Sequence, residues 1–315
     1  MTSPEPDVRI LTADQLGIGP AEKAKASGGS SAPDDAALQP DDPQLKEITR
    51  LLDQYGGVIL TGPPGTSKSW LAREAAKLIT EKDCDRQAAI QFHASYQFED
   101  FMEGFRPKKD GAGFEARRGV FLDLMDKALK DDRPHVIVID ELSRADVGRV
   151  FGEALTYIEK SKRGVPFQLP SGGKWNIPMN LLIIATMNPL DRGVDDVDAA
   201  FERRFAKIEM LPDAEVLEKR LASNGVEEDL ANRLLAWFRK TNSRAKQTPA
   251  TAVGHAYFWD VTDVDSLRDV WEYQLNYLID RAFKYDDATH KEVVNGWNKV
   301  VGTDDDAEAE GPGES

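Results

Sequence analysis

Between Ile59 and Thr80 the chain reads ILTGPPGTSKSWLAREAAKLIT, which sets two glycines, a lysine and a hydroxyl close together. The spacing follows G-x-x-x-x-G-K-[ST] with one departure. Gly62 opens the pattern and Lys68 and Ser69 close it, but Ser67 stands where the second glycine belongs. A loop of this kind holds phosphate through main-chain N–H groups that converge at a helix N-terminus. Gly62 and Gly65 permit tight turns and close approach, and Pro63 and Pro64 stiffen the loop. Thr66, Ser67 and Trp70 complete the residues expected to line a bound nucleotide. Ser67 is small and keeps its N–H, so the reading survives the replacement. Lys68 is expected to reach the β- and γ-phosphates of a nucleoside triphosphate, and the Ser69 hydroxyl to ligate Mg²⁺.

Three further groups carry chemistry. HVIVIDE is an apolar strand that ends in two carboxylates, at the end of a sheet where open α/β folds bind ligands. Asp140 is expected to hold Mg²⁺, directly or through water, and Glu141 to polarise an attacking water. An acidic turn after a strand would be the ordinary reading without the phosphate loop upstream. LLIIATMNPLD is a second buried strand ending in Asn188, an amide that either orients water near the γ-phosphate or caps its strand. In DDVDAAFERRF, Arg203 and Arg204 sit near a helix end. Either they pair with surface acids, or one reaches a neighbouring subunit's nucleotide and stabilises charge during transfer.

The elements that must position these groups follow from periodicity. LKEITRLLDQY reads as a helix and GVILTG as a short buried strand. SWLAREAAKLIT is a helix with Leu71, Ala75, Leu78 and Ile79 on one face. AAIQFH is a strand and RRGVFLDLMDKALKDD a helix. Strands that alternate with helices imply parallel pairing with helices on both faces. From Pro212 onward no strand pattern recurs, and DAEVLEKRLA, EEDLANRLLAWFRKTNSRA and VDSLRDVWEYQLNYLIDRAFKY are helical. The expected organisation is an N-terminal disordered segment (1–44), an α/β nucleotide-binding domain (45–211), a helical domain (212–292) and a disordered acidic tail (293–315). Within the first segment, VRILTADQLGI has the pattern of a short docking element.

Composition narrows the class. The 315 residues are 41% hydrophobic and 30% charged, as in a soluble globular chain. No apolar run approaches the ~20 residues of a membrane span, and the start lacks a basic-then-apolar signal pattern. The single cysteine, Cys84, has no ligand or nucleophile spacing around it and fits a reducing cytoplasm. The net charge of −15 is concentrated at the ends. Residues 1–44 hold eight acids against three bases, and residues 303–315 hold six acids and no base. The remainder lacks the basic excess that direct, nonspecific DNA binding wants. Tyr96, Phe98, Phe101 and Phe105 recur at near-helical spacing and read as core. KSKRGVPFQLPSGGKW carries the bases Lys160, Lys162, Arg163 and Lys174 with Phe167 and Trp175. It reads as a plain surface hairpin or as one that faces a substrate.

The phosphate loop, acidic strand end, Asn188 and paired arginines, in this order, resemble the AAA+ ATPases. FHASYQFEDFMEGFRP, IDELSRADVGRVFGEAL, ATMNPLDRGVDDVDAAFERRF and VGHAYFWD narrow the resemblance to the McrB family. That family comprises GTP-driven motor subunits of modification-dependent restriction systems and related dynein-like AAA+ proteins. The resemblance spans about Leu45 to Tyr285. It implies a P-loop AAA+ core, a parallel sheet flanked by helices, with a C-terminal helical lid. It implies nucleotide and Mg²⁺ on Gly62, Gly65, Lys68 and Ser69, with Asp140 and Glu141 as metal-linked and catalytic acids. Asn188 and Asp191 match an M-N-x-x-D signature that positions water and couples to a stimulating partner. Arg144 matches a basic residue near the γ-phosphate, and Arg203 or Arg204 the finger that acts across a subunit interface. His255 and Tyr257 fall in a lid motif, where they pack between helices or touch nucleotide.

The resemblance further implies a cytoplasmic NTPase that hydrolyses ATP or GTP in a self-assembled hexameric ring. It would drive a separate effector subunit, a nuclease or DNA-binding protein, with any nucleic-acid contact indirect and no membrane involved. Two alternatives share the same site: a MoxR-like ATPase that remodels protein complexes, and a non-hydrolysing nucleotide-gated scaffold. The chain departs from the family at Ser67. Its first 44 residues are also too short and polar to be the expected DNA-reading domain, and nothing in it resembles a nuclease.

Overall fold

The computed structural model describes residues 38–108, 111, 113–188, 199–244 and 251–302. The stretch VRILTADQLGI, residues 303–315 of the acidic tail and Asp191 lie outside them.

In chain order the strands are β1 (Gly57–Thr61), β2 (Gln87–Gln91), β3 (Glu103–Pro107), β4 (Phe114–Arg118), β5 (His135–Asp140), β6 (Phe167–Gln168), β7 (Lys174–Trp175), β8 (Leu181–Met187) and β9 (Ala206–Glu209). Five of them form one sheet in the order β2-β5-β8-β1-β9, parallel at every junction. The central strands are apolar along nearly their whole length because both faces are covered. Ile59, Ile137, Ile139, Ile183 and Ala185 face one layer, around Phe92, Phe101, Phe121 and Phe151. Their neighbours Val58, Leu60, Val136, Val138 and Ile184 face the other. That second layer is built from helices α1 (Pro43–Tyr55) and α2 (Lys68–Ile79). Helix α3 (Val120–Ala128) lies in the first. The edge strands β2 and β9 are only partly covered, and their residues alternate in exposure.

Register decides which strand ends meet. Thr61 pairs with Met187, and Ile139 pairs with Ala185. The residues that follow, Gly62, Asn188 and Asp140-Glu141, therefore emerge side by side at the carboxyl edge of the sheet.

Two small hairpins accompany the sheet, β3–β4 and β6–β7, both antiparallel. They are tied together: Ser171 donates to Glu103 from its backbone N (2.8 Å) and its hydroxyl (2.7 Å), and the Arg118 guanidinium lies 5.0 Å from the centre of the Trp175 ring. Phe105 belongs to β3 and is 65% exposed, so it is not core. The near-helical spacing ends at Phe101, where the short helix Phe98–Phe101 gives way to the strand. Tyr96 and Phe98 are half-buried against the first layer and Phe101 is fully buried.

Beyond Glu209 no strand occurs among the described residues, and five helices build a second core. They are α4 (Ala214–Ser223), α5 (Glu228–Thr241), α6 (Val264–Val270), α7 (Asn276–Ala282) and α8 (Asp287–Val301). Trp237, Phe258, Trp271 and Trp297 stack at its centre, and the Trp237 indole donates to the Val293 carbonyl (3.0 Å). Two expected boundaries move. A tail beginning at 293 is incompatible with α8, which continues to Val301 because Val293, Trp297, Val300 and Val301 are buried along one helical face. At the other end Leu38 is already buried and α1 starts at Pro43, capped by the Asp42 carboxylate.

Arg163 is also relocated. Grouped by sequence with surface bases, it is in fact 8% exposed. It donates to the carbonyls of Ile158 (3.1 Å), Gly56 (2.9 Å) and Leu181. Burial pulls its pKa down to about 10, so it stays charged at neutral pH. It thus closes the amino-terminal end of the sheet, where β1 and β8 begin. Replacing Arg163 with Met orphans these carbonyls and is expected to cost about 2–4 kcal/mol in urea unfolding, with an unchanged m-value. A loss below about 0.5 kcal/mol would mean the guanidinium is not structural.

Candidate functional site

The loop between β1 and α2 is shaped by close contacts. At Gly62 (φ 155°) a Cβ would stand 2.1 Å from the Met210 carbonyl oxygen, so no other residue fits without shifting that strand exit. Gly65 (φ 73°) lies under the Tyr257 ring, 2.9 Å from where a Cβ would be. Thr66 is fully buried and braces the loop by donating to the Pro63 carbonyl (2.9 Å). Ser67 adopts the left-handed conformation, φ 61° and ψ 20°. That backbone explains why glycine is usual at this place: an L-residue there carries strain of roughly 1–3 kcal/mol.

Ser67 is the N-cap of α2, yet its side chain does not cap the helix. A serine in this place ordinarily accepts from the N–H of the second or third helical residue. Here the hydroxyl is turned to the His255 Nε2, 3.0 Å away. The first N–H groups of α2 are therefore left without a side-chain cap, at the positive end of a twelve-residue helix.

Below the loop stands a compact polar cluster. Ser69 donates to Asp140 Oδ1 (2.7 Å), and the Thr186 hydroxyl donates to the same oxygen. Arg73, one turn along α2, lies 3.6 Å from Asp140 Oδ2. Asp140 is 7% exposed, and these partners offset its loss of water. Thr186 also accepts from the Glu141 backbone N (3.2 Å). Glu141 is a second left-handed residue (φ 56°), and its carboxylate is paired with Arg144 at 3.4 Å. Lys68 folds back across the loop and donates to the carbonyls of Gly62 (2.9 Å) and Pro63 (2.7 Å).

Pro64, Gly65, Thr66, Ser67, Lys68, Ser69, Trp70, Glu141 and Asn188 line one cleft of about 300 Å³, with Thr186, Met187 and Ala256. The structure thus gathers the loop, the acidic pair and Asn188 at one place. Arg203 and Arg204 are elsewhere: they line a separate cleft of about 760 Å³ with Asp53, Gln54, Tyr55, Glu159 and Lys162. Arg203 is exposed, whereas Arg204 is half-buried; the Glu159 pKa is lowered mainly by the Ser161 hydroxyl, then by Lys162, with Arg204 the smallest contributor.

The donor set fits Mg²⁺. A serine hydroxyl and a carboxylate in contact are hard oxygen ligands, and Mg²⁺ commonly takes one or two protein oxygens with phosphate and water completing its shell. Among the described residues no cluster of three or more His, Cys, Asp or Glu forms an all-protein cage.

Sequence reasoning missed Thr186, Arg73 and the seat of His255. Thr186 carried a faint signal, a lone hydroxyl in the apolar run LLIIATM, two residues before Asn188. Arg73 follows Ser69 by one helical turn, on the same face of α2. Tyr257 packs against the helical core and His255 meets Asp213 there, and both also sit against the phosphate loop.

Residues 57–205 match the AAA domain (dynein-related subfamily). The chain is 32% identical over 229 residues to the Type IV methyl-directed restriction enzyme EcoKMcrB subunit of Escherichia coli (strain K12), a match covering 68% of this chain and 50% of that protein. It is 28% identical over 191 residues to the Type II restriction enzyme BsuMI component YdiS of Bacillus subtilis (strain 168), covering 47% of this chain and 55% of that one. The chain spans about half the length of the curated relatives it matches.

The cluster at Asp140 makes Thr186 testable on its own. Thr186→Val takes a donor from the carboxylate and an acceptor from the Glu141 N–H, and is expected to cost about 1–3 kcal/mol of stability. Thr186→Ser keeps the hydroxyl and should lose clearly less. Equal losses in urea melts would assign the effect to packing of the methyl group instead.

Proposed function

This chain is a McrB-like AAA+ protein with an AAA domain of the dynein-related subfamily, and from that premise we propose that it is a Mg²⁺-dependent NTPase working as the ring-forming motor of a restriction-type system. The observation that carries the reading is the contact between Ser69, at the start of α2, and Asp140, at the tip of β5 (2.7 Å). It joins the start of α2 to the tip of β5, which supports reading them as a phosphate-binding helix end facing an acidic strand end.

In this reading the uncapped N–H groups of α2 and the loop take the phosphates. Lys68 exchanges the carbonyls of Gly62 and Pro63 for phosphate oxygens, a trade that favours the charged acceptor. Ser69 and Asp140 hold Mg²⁺, which when bound neutralises charge on the phosphates. Glu141 draws a proton from a water that Asn188 orients, with Asp191 assisting. The water oxygen bonds to the γ-phosphorus as the bond to the bridging oxygen breaks, releasing nucleoside diphosphate and phosphate. Arg144, held by Glu141 in this structure, turns toward the γ-phosphate.

Arg203 and Arg204 line a different cleft from Lys68, as a finger acting on a neighbouring subunit's nucleotide requires. Of the two we assign the finger to Arg203, because it is exposed while Arg204 is half-buried beside Glu159. The driven partner is a separate nuclease or DNA-binding subunit, by analogy with the restriction components that the chain resembles. We place the protein in the cytoplasm; no helix among the described residues is long and apolar enough to cross a membrane.

Turnover measured with ATP and GTP side by side, at several protein concentrations, tests this reading. Lys68→Ala should abolish binding of both nucleotides. Glu141→Gln should bind nucleotide and lose most turnover. Arg203→Ala should retain binding but lose roughly 10³-fold or more in turnover, with Arg204→Ala milder. Turnover by Arg203→Ala that matches the parent at every concentration would end the intersubunit assignment.

A further inference from the structure

The segment Val253–Tyr257 belongs to the helical part of the chain, yet it is seated on the phosphate loop. The Ala256 N–H donates to the Gly65 carbonyl (2.9 Å). A Cβ at Gly254 would stand 2.2 Å from that same oxygen, so the two backbones touch. Tyr257 covers Gly65 from above. Beside these contacts the His255 ring bridges two elements. Its Nδ1 accepts from the backbone N of Asp213 (3.2 Å), the N-cap of α4, and its Nε2 lies 3.0 Å from the Ser67 hydroxyl. An Nδ1 that accepts from a backbone N–H leaves the proton on Nε2, which then donates to Ser67. The ring is 3% exposed, and burial holds it below the usual histidine range, against a smaller opposing effect of Asp213. It is a neutral, oriented bridge.

Ser67 meets this bridge in a strained backbone. With glycine at 67 the left-handed turn would need no support and would offer no side chain to the histidine. With serine the turn is disfavoured by itself and supported from the helical side. We propose that Ser67 and His255 form a latch by which the helical domain holds the phosphate loop in its anion-binding shape, so that nucleotide affinity depends on how that domain is seated. The inference rests on the nucleotide-site reading above and adds two positioning residues to it. In this proposal His255 acts through Ser67, its partner at 3.0 Å.

Asparagine and glutamine separate the two ends of the bridge. The Asn amide overlays Nδ1, so His255→Asn keeps the Asp213 contact and drops Ser67. The Gln amide reaches the Nε2 position, so His255→Gln keeps the Ser67 contact. Each is made in the parent and in a Ser67→Gly background, and thermal melts confirm folding. Two readouts follow: amide hydrogen exchange of residues 65–69 in nucleotide-free protein, and affinity for a fluorescent ATP or GTP analogue.

His255→Asn should speed exchange of the loop and weaken nucleotide about five- to tenfold when residue 67 is serine, and less than about twofold when it is glycine. His255→Gln should stay within about twofold of the parent. Equal effects of His255→Asn in both backgrounds would overturn the latch, since a histidine that merely shapes its own domain cannot distinguish serine from glycine at 67. Should the parent bind no nucleotide, as weakly as Lys68→Ala, the nucleotide reading fails, and loop exchange still decides the latch.

Discussion

Parallel pairing of β5, β8 and β1 in a single register is the constraint on which the rest depends. It delivers three chain reversals to one edge of the sheet at nearly one level, after Thr61, Asp140 and Met187. No interaction among the site residues could bring them together against a different register, because a shift of one residue turns buried side chains to the opposite face. That register is secured by nearly continuous aliphatic side chains, alternately facing the aromatic layer around Phe101 and the layer of α1 and α2. At the far end of the same strands Arg163 binds the carbonyls of Gly56 and Leu181, so both ends of the β1–β8 pair are pinned.

Hydrophobic covering has a cost at the carboxyl edge of the sheet, where a carboxylate must sit almost out of water. Asp140 is tolerated because two hydroxyls and a guanidinium surround it. The donors come from two elements: Ser69 and Arg73 from successive turns of α2, and Thr186 from the adjacent strand. The same carboxylate thereby reports the relative placement of helix and sheet. Backbone strain gathers at this edge too. Of the described non-glycine residues with positive φ, Glu81 and Lys82 form the turn after α2, while Ser67 and Glu141 both line the cleft. Strained residues persist where the surroundings over-determine them, and such places are often functional.

Much of this was legible in advance, for identifiable reasons. Alternation of short β-branched runs with amphipathic helices states a parallel sheet with covered faces, and the AAA domain and strand order agree with that reading. The loop and the acidic pair were legible because their chemistry demands fixed spacing within one segment. What escaped notice depends on contacts between distant segments. Arg163 looks like one more base among Lys160, Lys162 and Lys174 until the sheet end arrives to bury it. Phe105 continues a helical spacing that the chain abandons for a strand. His255 is 188 residues from Ser67, and no local pattern announces their meeting. Serine at 67 looked neutral because its N–H is retained; its φ, which makes it consequential, is invisible in a string of letters.

How firmly the helical domain is coupled to the loop depends on the free energy of the contacts between them. Among the described residues the links include the Ala256 N–H on Gly65, the Ser67–His255 contact and the Tyr257 ring over Gly65. At about 1 kcal/mol net for each hydrogen bond, their sum is a few kcal/mol, small beside the stability of either core. A ligand shifts such an equilibrium by no more than its differential affinity for the two arrangements. A few kcal/mol is of the size that a triphosphate gripped in one arrangement and a diphosphate released in another can supply. An interface of many apolar contacts would be too strong for that exchange. In the reading proposed above, the seat of residues 253–257 lies below that limit, so loss of one phosphate would shift the helical domain.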